Sequence, residues 1–159
     1  MLEVKITQSM LERAKELSDF GKLNNSIRQG DGNLVGCLGE LCALHCTNFG
    51  EIELANTYDY DLIAGDLNID VKTKECTSKP RLEYDCSVAA FNIKQDCDIY
   101  LFVRVLNNYQ KGWVLGWIEK YEYFKKAKFF KRGEIDPSNN FTVKADCYNL
   151  KIKDLYSCK

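Results

Sequence analysis

Residues 58–74 read YDYDLIAGDLNIDVKTK, and this segment predicts both a fold and a site. Apolar and polar residues alternate on either side of AGD (64–66), the pattern of two strands joined by a tight turn. The alternation places Asp70 and Lys72 on one face of the second strand. A register that sets Asp61 beside Asp70 is available, because both flank the same turn. Opposed carboxylates destabilise a sheet, so the pattern favours a cation between them.

Acidic residues dominate the chain just before this second strand. Residues 51–70 contain no Lys or Arg, and their acids are Glu51, Glu53, Asp59, Asp61, Asp66 and Asp70. Such oxygens suit a hard divalent ion, and Mg²⁺ takes one or two carboxylates while keeping several waters. Lys72 follows, where it can stabilise negative charge that develops on phosphorus. The alternative is a solvated hairpin edge whose acids and lysines are neighbours by chance.

A third carboxylate, Glu40, is expected to reach the hairpin from a helix. Apolar residues at helical spacing predict this helix over 34–47. Gly36 and Gly39 lie inside it, where each costs about 0.5–1 kcal/mol relative to Ala. Two glycines in one turn predict a close approach, either of a ligand or of the sheet. Both alternatives bring Glu40 towards the hairpin.

The remaining periodicity predicts a single α/β domain over residues 1–159. Further helices are predicted over 7–20 and 119–131, with a short helix or crossover at 91–96 and a loop at 24–33. Strands are predicted over 58–63, 67–74, 84–90, 98–106 and 112–118. The resulting order, α-β-β-β-(α)-β-β-α, is typical of a mixed central sheet flanked by helices.

Composition narrows the class of protein. The formal net charge is −1, so a polyanion would have to be held by a local basic patch. The sequence has no apolar run long enough for a membrane span and no apolar signal-peptide core, which predicts a cytoplasmic protein without a membrane partner. A lone histidine, His45, argues against nucleases built on histidine pairs.

The chain has eight cysteines, and we expect them to be reduced and to pack as small apolar residues. Cys42 and Cys46 stand one turn apart on the predicted helix. A zinc-stabilised structural protein is therefore an alternative, although no second ligand pair has suitable spacing.

Glu40, Asp61 and the IDVK segment (69–72) together resemble the PD-(D/E)XK nuclease superfamily. GNLVGCLGE (32–40) and CDIYLFV (97–103) look like segments of its small phage-type or restriction-type members. The resemblance implies a restriction-endonuclease-like core, which is a mixed central β-sheet flanked by helices in α-β-β-β-α-β order. Tyr60 stands where the motif has Pro, and Asp70 where Glu is commoner.

The resemblance also implies roles for five residues. Asp61 and Asp70 become metal ligands, with the carbonyl of Val71 as a further ligand. Lys72 becomes the catalytic lysine, and Glu40 an acid that contacts the metal through water. The implied cofactor is Mg²⁺ (or Mn²⁺), and the implied activity is phosphodiester hydrolysis, with DNA as the expected partner. A phage-encoded enzyme would act in the host cytoplasm.

Other polar residues are candidates for substrate contact. The expected nucleic-acid-binding residues are Arg28, Lys74, Lys79, Arg81, Lys125, Lys126 and Lys128. Asn92 and Gln95 are expected to support the site by hydrogen bonding. The alternative for the 120–132 segment is an amphipathic helix with solvated lysines. Cutting both strands would suit a homodimer, although no dimerisation motif is visible. A non-catalytic nucleic-acid-binding protein with a nuclease-like fold is the second functional alternative.

Overall fold

The computed structural model describes residues 1–20, 31–55 and 57–159. Residues 24–30 of the predicted loop, including Arg28, lie outside the described residues, whereas 31–33 begin a helix and the loop prediction is wrong there. Three helices are described, α1 (Gln8–Phe20), α2 (Asp31–Ala43) and α3 (Lys120–Lys126). No helix in these ranges is both long and apolar enough to cross a membrane.

Strands in the described ranges form three sheets. They are β1 (Leu2–Lys5), β2 (Glu53–Leu54), β3 (Leu62–Ala64), β4 (Leu67–Cys76), β5 (Asp85–Ala89), β6 (Ile99–Leu106), β7 (Lys111–Glu119), β8 (Lys128–Phe130), β9 (Ile135–Asp136), β10 (Phe141–Thr142) and β11 (Cys147–Lys151). The central sheet has the order β1-β7-β6-β4-β3-β2, a second sheet the order β5-β11-β8, and β9 pairs with β10.

The central sheet is mixed, because β4 runs parallel to β6 while the other strand pairs of the sheet are antiparallel. This confirms the predicted α/β class. One face of the sheet packs against α2, where Leu38 meets the apolar side of β4 and β6. The other face carries Tyr100 and Phe102, which pack with Tyr123 of α3 in a second core. β4 therefore has an apolar side under α2 and a partly polar side facing the second core.

The β3–β4 hairpin has the predicted register. Leu62 pairs with Ile69, and the Asp61 backbone N–H donates to the Ile69 carbonyl at 3.0 Å. Asp61 therefore lies beside Asp70. The first strand is shorter than the predicted 58–63, because the chain before it turns through hydrogen bonds between Thr57 and Tyr60 rather than pairing.

Two predicted elements are placed differently. Residues 84–90 do form a strand, β5, but it lies in the second sheet because β6 takes the parallel position beside β4. The predicted helix over 119–131 ends at Lys126. Beyond it, Phe129 and Phe130 alternate as β8, which pairs with β11, so strand pairing replaces the last helical turn.

The expectation that all cysteines are reduced is wrong for one pair. The structure joins Cys46 and Cys158 in a disulfide between residues 112 positions apart, with Cα atoms 5.2 Å apart. The C-terminus is held at this point, since Thr47 donates to the Lys159 carbonyl. α2 ends at Ala43, so Cys46 lies beyond the helix, and its pairing leaves no Cys42–Cys46 zinc pair.

The glycines of α2 give a matched test of how the helix packs. A Cβ at Gly39 would overlap the Thr73 side chain, whereas a Cβ at Gly36 would meet none of the described residues within 4 Å. Gly39→Ala should therefore lower the free energy of unfolding by about 1–3 kcal/mol. Gly36→Ala should raise it by about 0.5–1 kcal/mol, because Ala loses less backbone entropy. Urea titration of both variants checks this, and equal shifts of the two midpoints would contradict the packing.

Candidate active site

The carboxylates of Glu40, Asp61 and Asp70 lie close to one another, near the point where β3 and β4 cease to pair. Asp61 Oδ2 accepts the Val71 backbone N–H at 2.7 Å, which fixes the side chain against β4. Asp70 is only 4% exposed. The contact of Gly39 with Thr73 seats α2 on β4 and brings Glu40 to the same region.

The pKa values show that these carboxylates lack a sufficient counter-charge. Burial raises the pKa of Glu40 to about 7, and repulsion from Asp70 adds to the effect. Burial raises the pKa of Asp61 to about 8, with further repulsion from Asp70 and Glu40. The pKa of Asp70 is also raised by burial, although Lys72 opposes the shift. Each group is thus destabilised as an anion.

Lys72 and Gln95 close a ring of contacts on Asp70. Lys72 Nζ lies 2.6 Å from Asp70 Oδ2 and donates to Gln95 Oε1 at 3.1 Å. Gln95 Nε2 donates to Asp70 Oδ1 at 3.1 Å. Apart from the ion pair with Lys72, Asp70 Oδ2 has no hydrogen-bond donor among the described residues. A single amide therefore orients both the carboxylate and the ammonium.

Both predicted supporting residues, Asn92 and Gln95, lie near the site, but they make their hydrogen bonds through different groups. Gln95 acts through its side chain, whereas Asn92 acts through its carbonyl, which accepts the Tyr100 hydroxyl at 3.2 Å. Lys120 Nζ donates to the Gln95 carbonyl and holds that backbone in place. Lys72 Nζ also lies 5.7 Å from the centre of the Tyr100 ring.

Sequence reasoning missed Tyr100 and Lys120. Tyr100 lies in a run of apolar residues that predicts only a buried strand. Its hydroxyl group is the one signal, because a buried hydroxyl needs a polar partner. Lys120 was one cation in a basic run. Only the parallel pairing of Asp70 with Tyr100 reveals that the apolar run begins beside the site.

The residues present fit a divalent ion held partly by water. In the described part of the chain, no group of three or more His, Cys, Asp or Glu side chains is close enough to ligate one metal. Mg²⁺ needs only one or two carboxylates, and an ion at Asp70 would share Oδ2 with the Lys72 ammonium, which is 2.6 Å away. When ionised, the three carboxylates and Lys72 together carry a charge of −2, which a divalent ion would neutralise.

A cleft of about 1500 Å³ begins at Lys72, and we name it the basic cleft. Its charged lining residues are five basic ones, Lys72, Lys74, Arg81, Arg104 and Lys144, and four acidic ones, Glu75, Glu83, Asp85 and Asp136. Two of these, Lys74 and Arg81, are predicted nucleic-acid contacts. Arg104 was not predicted, because it belongs to the apolar strand β6 and reaches Lys74 only through the pairing of β6 with β4.

The other predicted cations lie elsewhere. Lys79 is near enough to Glu3 of β1 to lower its pKa, after the larger effects of Lys111 and Trp113. Lys125 lines a separate pocket of about 900 Å³. Of the remaining two, Lys126 pairs with Glu122 at 2.6 Å, and Lys128 Nζ lies 4.8 Å from the centre of the Phe130 ring. The structure therefore does not gather these lysines with Lys72.

No family model matches the chain, and no curated protein matches its sequence.

The raised pKa values predict how stability depends on pH without metal. Between pH 4.5 and about 8 the folded protein keeps protons on Glu40 and Asp61 that the unfolded chain has lost. Stability must then fall as pH rises through this window, by about 1.4 kcal/mol per pH unit for each of these carboxyls that is protonated only in the folded state. Asp61→Asn should flatten the fall, while Asp66→Asn, at an exposed turn position, should keep it. Urea titrations in EDTA across this pH range check the slope, and a wild-type slope in Asp61→Asn would contradict it.

Proposed function

We propose that this protein is a metal-dependent nuclease of the PD-(D/E)XK type that hydrolyses phosphodiester bonds with Mg²⁺ or Mn²⁺. The observation that carries the proposal is the mutually repelling set of buried Asp70 and half-buried Glu40 and Asp61, with Lys72 and Gln95 in contact with Asp70. A buried charge without a partner is costly, and such perturbed groups beside a cleft are typical of functional sites. A solvated hairpin edge would have neither the burial nor the closed ring of contacts.

The order of the central elements supports a restriction-endonuclease-like core. α2 precedes the β3–β4 hairpin, and β4 then pairs in parallel with β6. A crossover between β4 and β6 holds β5 and the short 3-10 helix Ala90–Lys94, which leads directly to Gln95. The chain thus places one helical acid, two hairpin acids and one amide around the same strand.

Each residue has a defined part in the proposed chemistry. Asp61 and Asp70 would hold the ion, with the Val71 carbonyl as a further ligand and Glu40 acting through water. A bound Mg²⁺ or Mn²⁺ would polarise the phosphoryl oxygens and lower the pKa of water. Lys72 places a positive charge where the phosphoryl group becomes more negative. Gln95 fixes the Lys72 ammonium relative to Asp70, so little reorganisation is needed during the reaction.

Cleavage in a panel of metals tests the proposal. Chelator-treated protein is mixed with supercoiled, linear, branched and single-stranded DNA and with RNA, in Mg²⁺, Mn²⁺, Ca²⁺ or EDTA. We expect cleavage in Mg²⁺ or Mn²⁺ and binding without cleavage in Ca²⁺, which prefers more ligands and looser geometry. Binding with no cleavage in any metal would favour a non-catalytic nucleic-acid-binding protein. One zinc per chain after purification without chelator would favour a zinc-stabilised structural protein.

A further inference from the structure

The basic cleft extends the candidate site along β4. Parallel pairing sets Lys72 beside Phe102, and the next pair outward on this face sets Lys74 beside Arg104. Side chains two residues apart on a strand point the same way and lie about 6.6 Å apart. Adjacent phosphates of an extended nucleic-acid strand can span such a distance. The cleft thus offers a second cationic position one step from Lys72.

Lys74 and Arg104 form a pair of neighbouring cations in the cleft. Within the described residues, neither has an acidic side chain at salt-bridge distance, and Arg104 donates to the Asp85 carbonyl at 2.9 Å. The Asp85 carboxylate is itself paired with Lys151 at 2.8 Å. Burial and the nearby Arg104 both lower the pKa of Lys74, with Asp85 opposing them. Two such cations held together are suited to a phosphate.

Phe141 of the β9–β10 hairpin faces this pair across the cleft. Its ring is 50% exposed, and Lys74 Nζ lies 5.9 Å from the ring centre. The hairpin is tied to the second sheet, since Asn139 Nδ2 donates to Asp85 Oδ2 at 3.1 Å. The bases of a double helix stack on one another, so they cannot also cover the Phe141 ring beside Lys74. A single strand can, with its phosphates on the cations and a base on the ring.

We propose that the basic cleft binds a single nucleic-acid strand, with Lys74 and Arg104 holding the phosphate next to the one at Lys72 and Phe141 stacking on a base. This inference rests on the proposed nuclease function for the phosphate at Lys72, and it adds the class of substrate. The strand can be free or can be the unpaired part of a branched molecule. Stacking and phosphate contacts are tolerant of sequence, so recognition is not of a particular base order.

Fluorescence anisotropy in Ca²⁺ measures binding of labelled oligothymidylate of about 12 nucleotides and of a blunt duplex, over a range of salt concentrations. Wild type should bind the single strand at least tenfold more tightly, about 1.4 kcal/mol. The double variant Lys74→Gln/Arg104→Gln should reduce the salt slope by about 0.7 for each phosphate that it no longer neutralises. Phe141→Ala should weaken binding about tenfold with an unchanged slope. Lys15→Gln and Phe129→Ala, at exposed positions outside the cleft, are the matched controls.

Equal affinity for duplex and single strand would overturn the inference. So would a wild-type salt slope in the double variant, or a reduced slope in Lys125→Gln/Lys126→Gln/Lys128→Gln instead. The two proposals fail separately. If the wild type cuts duplex DNA and the cleft substitutions leave cleavage unchanged, only the inference about the single strand is contradicted. Wild type that binds single strands through the cleft but cuts nothing contradicts the nuclease function alone.

Discussion

Asp70→Asn should abolish phosphodiester cleavage, lowering the rate at least about 10³-fold, while the protein stays folded. The substitution removes a carboxylate that is 4% exposed and is held by the Lys72 ammonium and the Gln95 amide. Metal stabilisation of the transition state amounts to several kcal/mol, and each 1.36 kcal/mol is a factor of about ten in rate. The Asn side chain can still accept the Gln95 amide through its oxygen, whereas its amide nitrogen cannot replace the ion pair with Lys72.

The same substitution should not destabilise the metal-free protein at pH 8. Asp70 raises the pKa of both Glu40 and Asp61, so a neutral amide in its place removes repulsion from two neighbours. Asp66→Asn is the matched control, because it removes a carboxylate from the exposed turn of the same hairpin. Circular dichroism, urea titration and cleavage are measured on both variants. An unfolded Asp70→Asn, or an equal loss of activity in Asp66→Asn, would contradict the assignment.

Lys72→Ala should also lower the cleavage rate, by about 10²–10³-fold, but for a different reason. The lysine supplies no metal ligand, so Mn²⁺ binding should persist. Its ammonium is 2.6 Å from Asp70 Oδ2, and its removal leaves that carboxylate more open to a cation. Calorimetric titration should therefore show Mn²⁺ affinity at least equal to that of wild type. The expected result is a variant that binds the metal but does not cut.

Lys94→Ala provides the control for Lys72→Ala. Lys94 is an exposed lysine one residue before Gln95, outside the ring of contacts on Asp70. It should keep wild-type rate and metal affinity. If Lys72→Ala loses Mn²⁺ binding together with activity, the lysine is organising the carboxylates rather than stabilising charge on phosphorus.

The parts of the site that depend on local geometry could be predicted from the sequence. The two-residue period of a strand and a tight turn were enough to place Asp61 beside Asp70, with Lys72 two residues further on. Gly39 signalled a close approach, and the structure shows that the sheet, at Thr73, is what approaches. Gly36 has no such neighbour among the described residues, so packing within them does not explain its presence in the helix.

The parts that depend on distant pairing could not be predicted. Arg104 becomes a neighbour of Lys74 only when β6 pairs in parallel with β4, and Phe141 comes from a hairpin far along the chain. The Cys46–Cys158 disulfide joins residues 112 positions apart. Lysine-rich composition after residue 119 favoured a basic helix, but Lys126 is engaged by Glu122 on its own helix. Composition counts charges without showing which of them are already paired.

The most direct test of the metal-dependent nuclease site is the Mn²⁺ dependence of cleavage by wild type and by Asp70→Asn. Chelator-treated protein is titrated with Mn²⁺ in the calorimeter, and samples from each step are assayed for nicking of supercoiled DNA and for cleavage of single strands. The nuclease site predicts that wild-type activity appears in step with the filling of a metal site, and that Asp70→Asn shows neither filling nor cleavage. Cleavage by wild type in EDTA, or cleavage by Asp70→Asn at the wild-type rate, would contradict it.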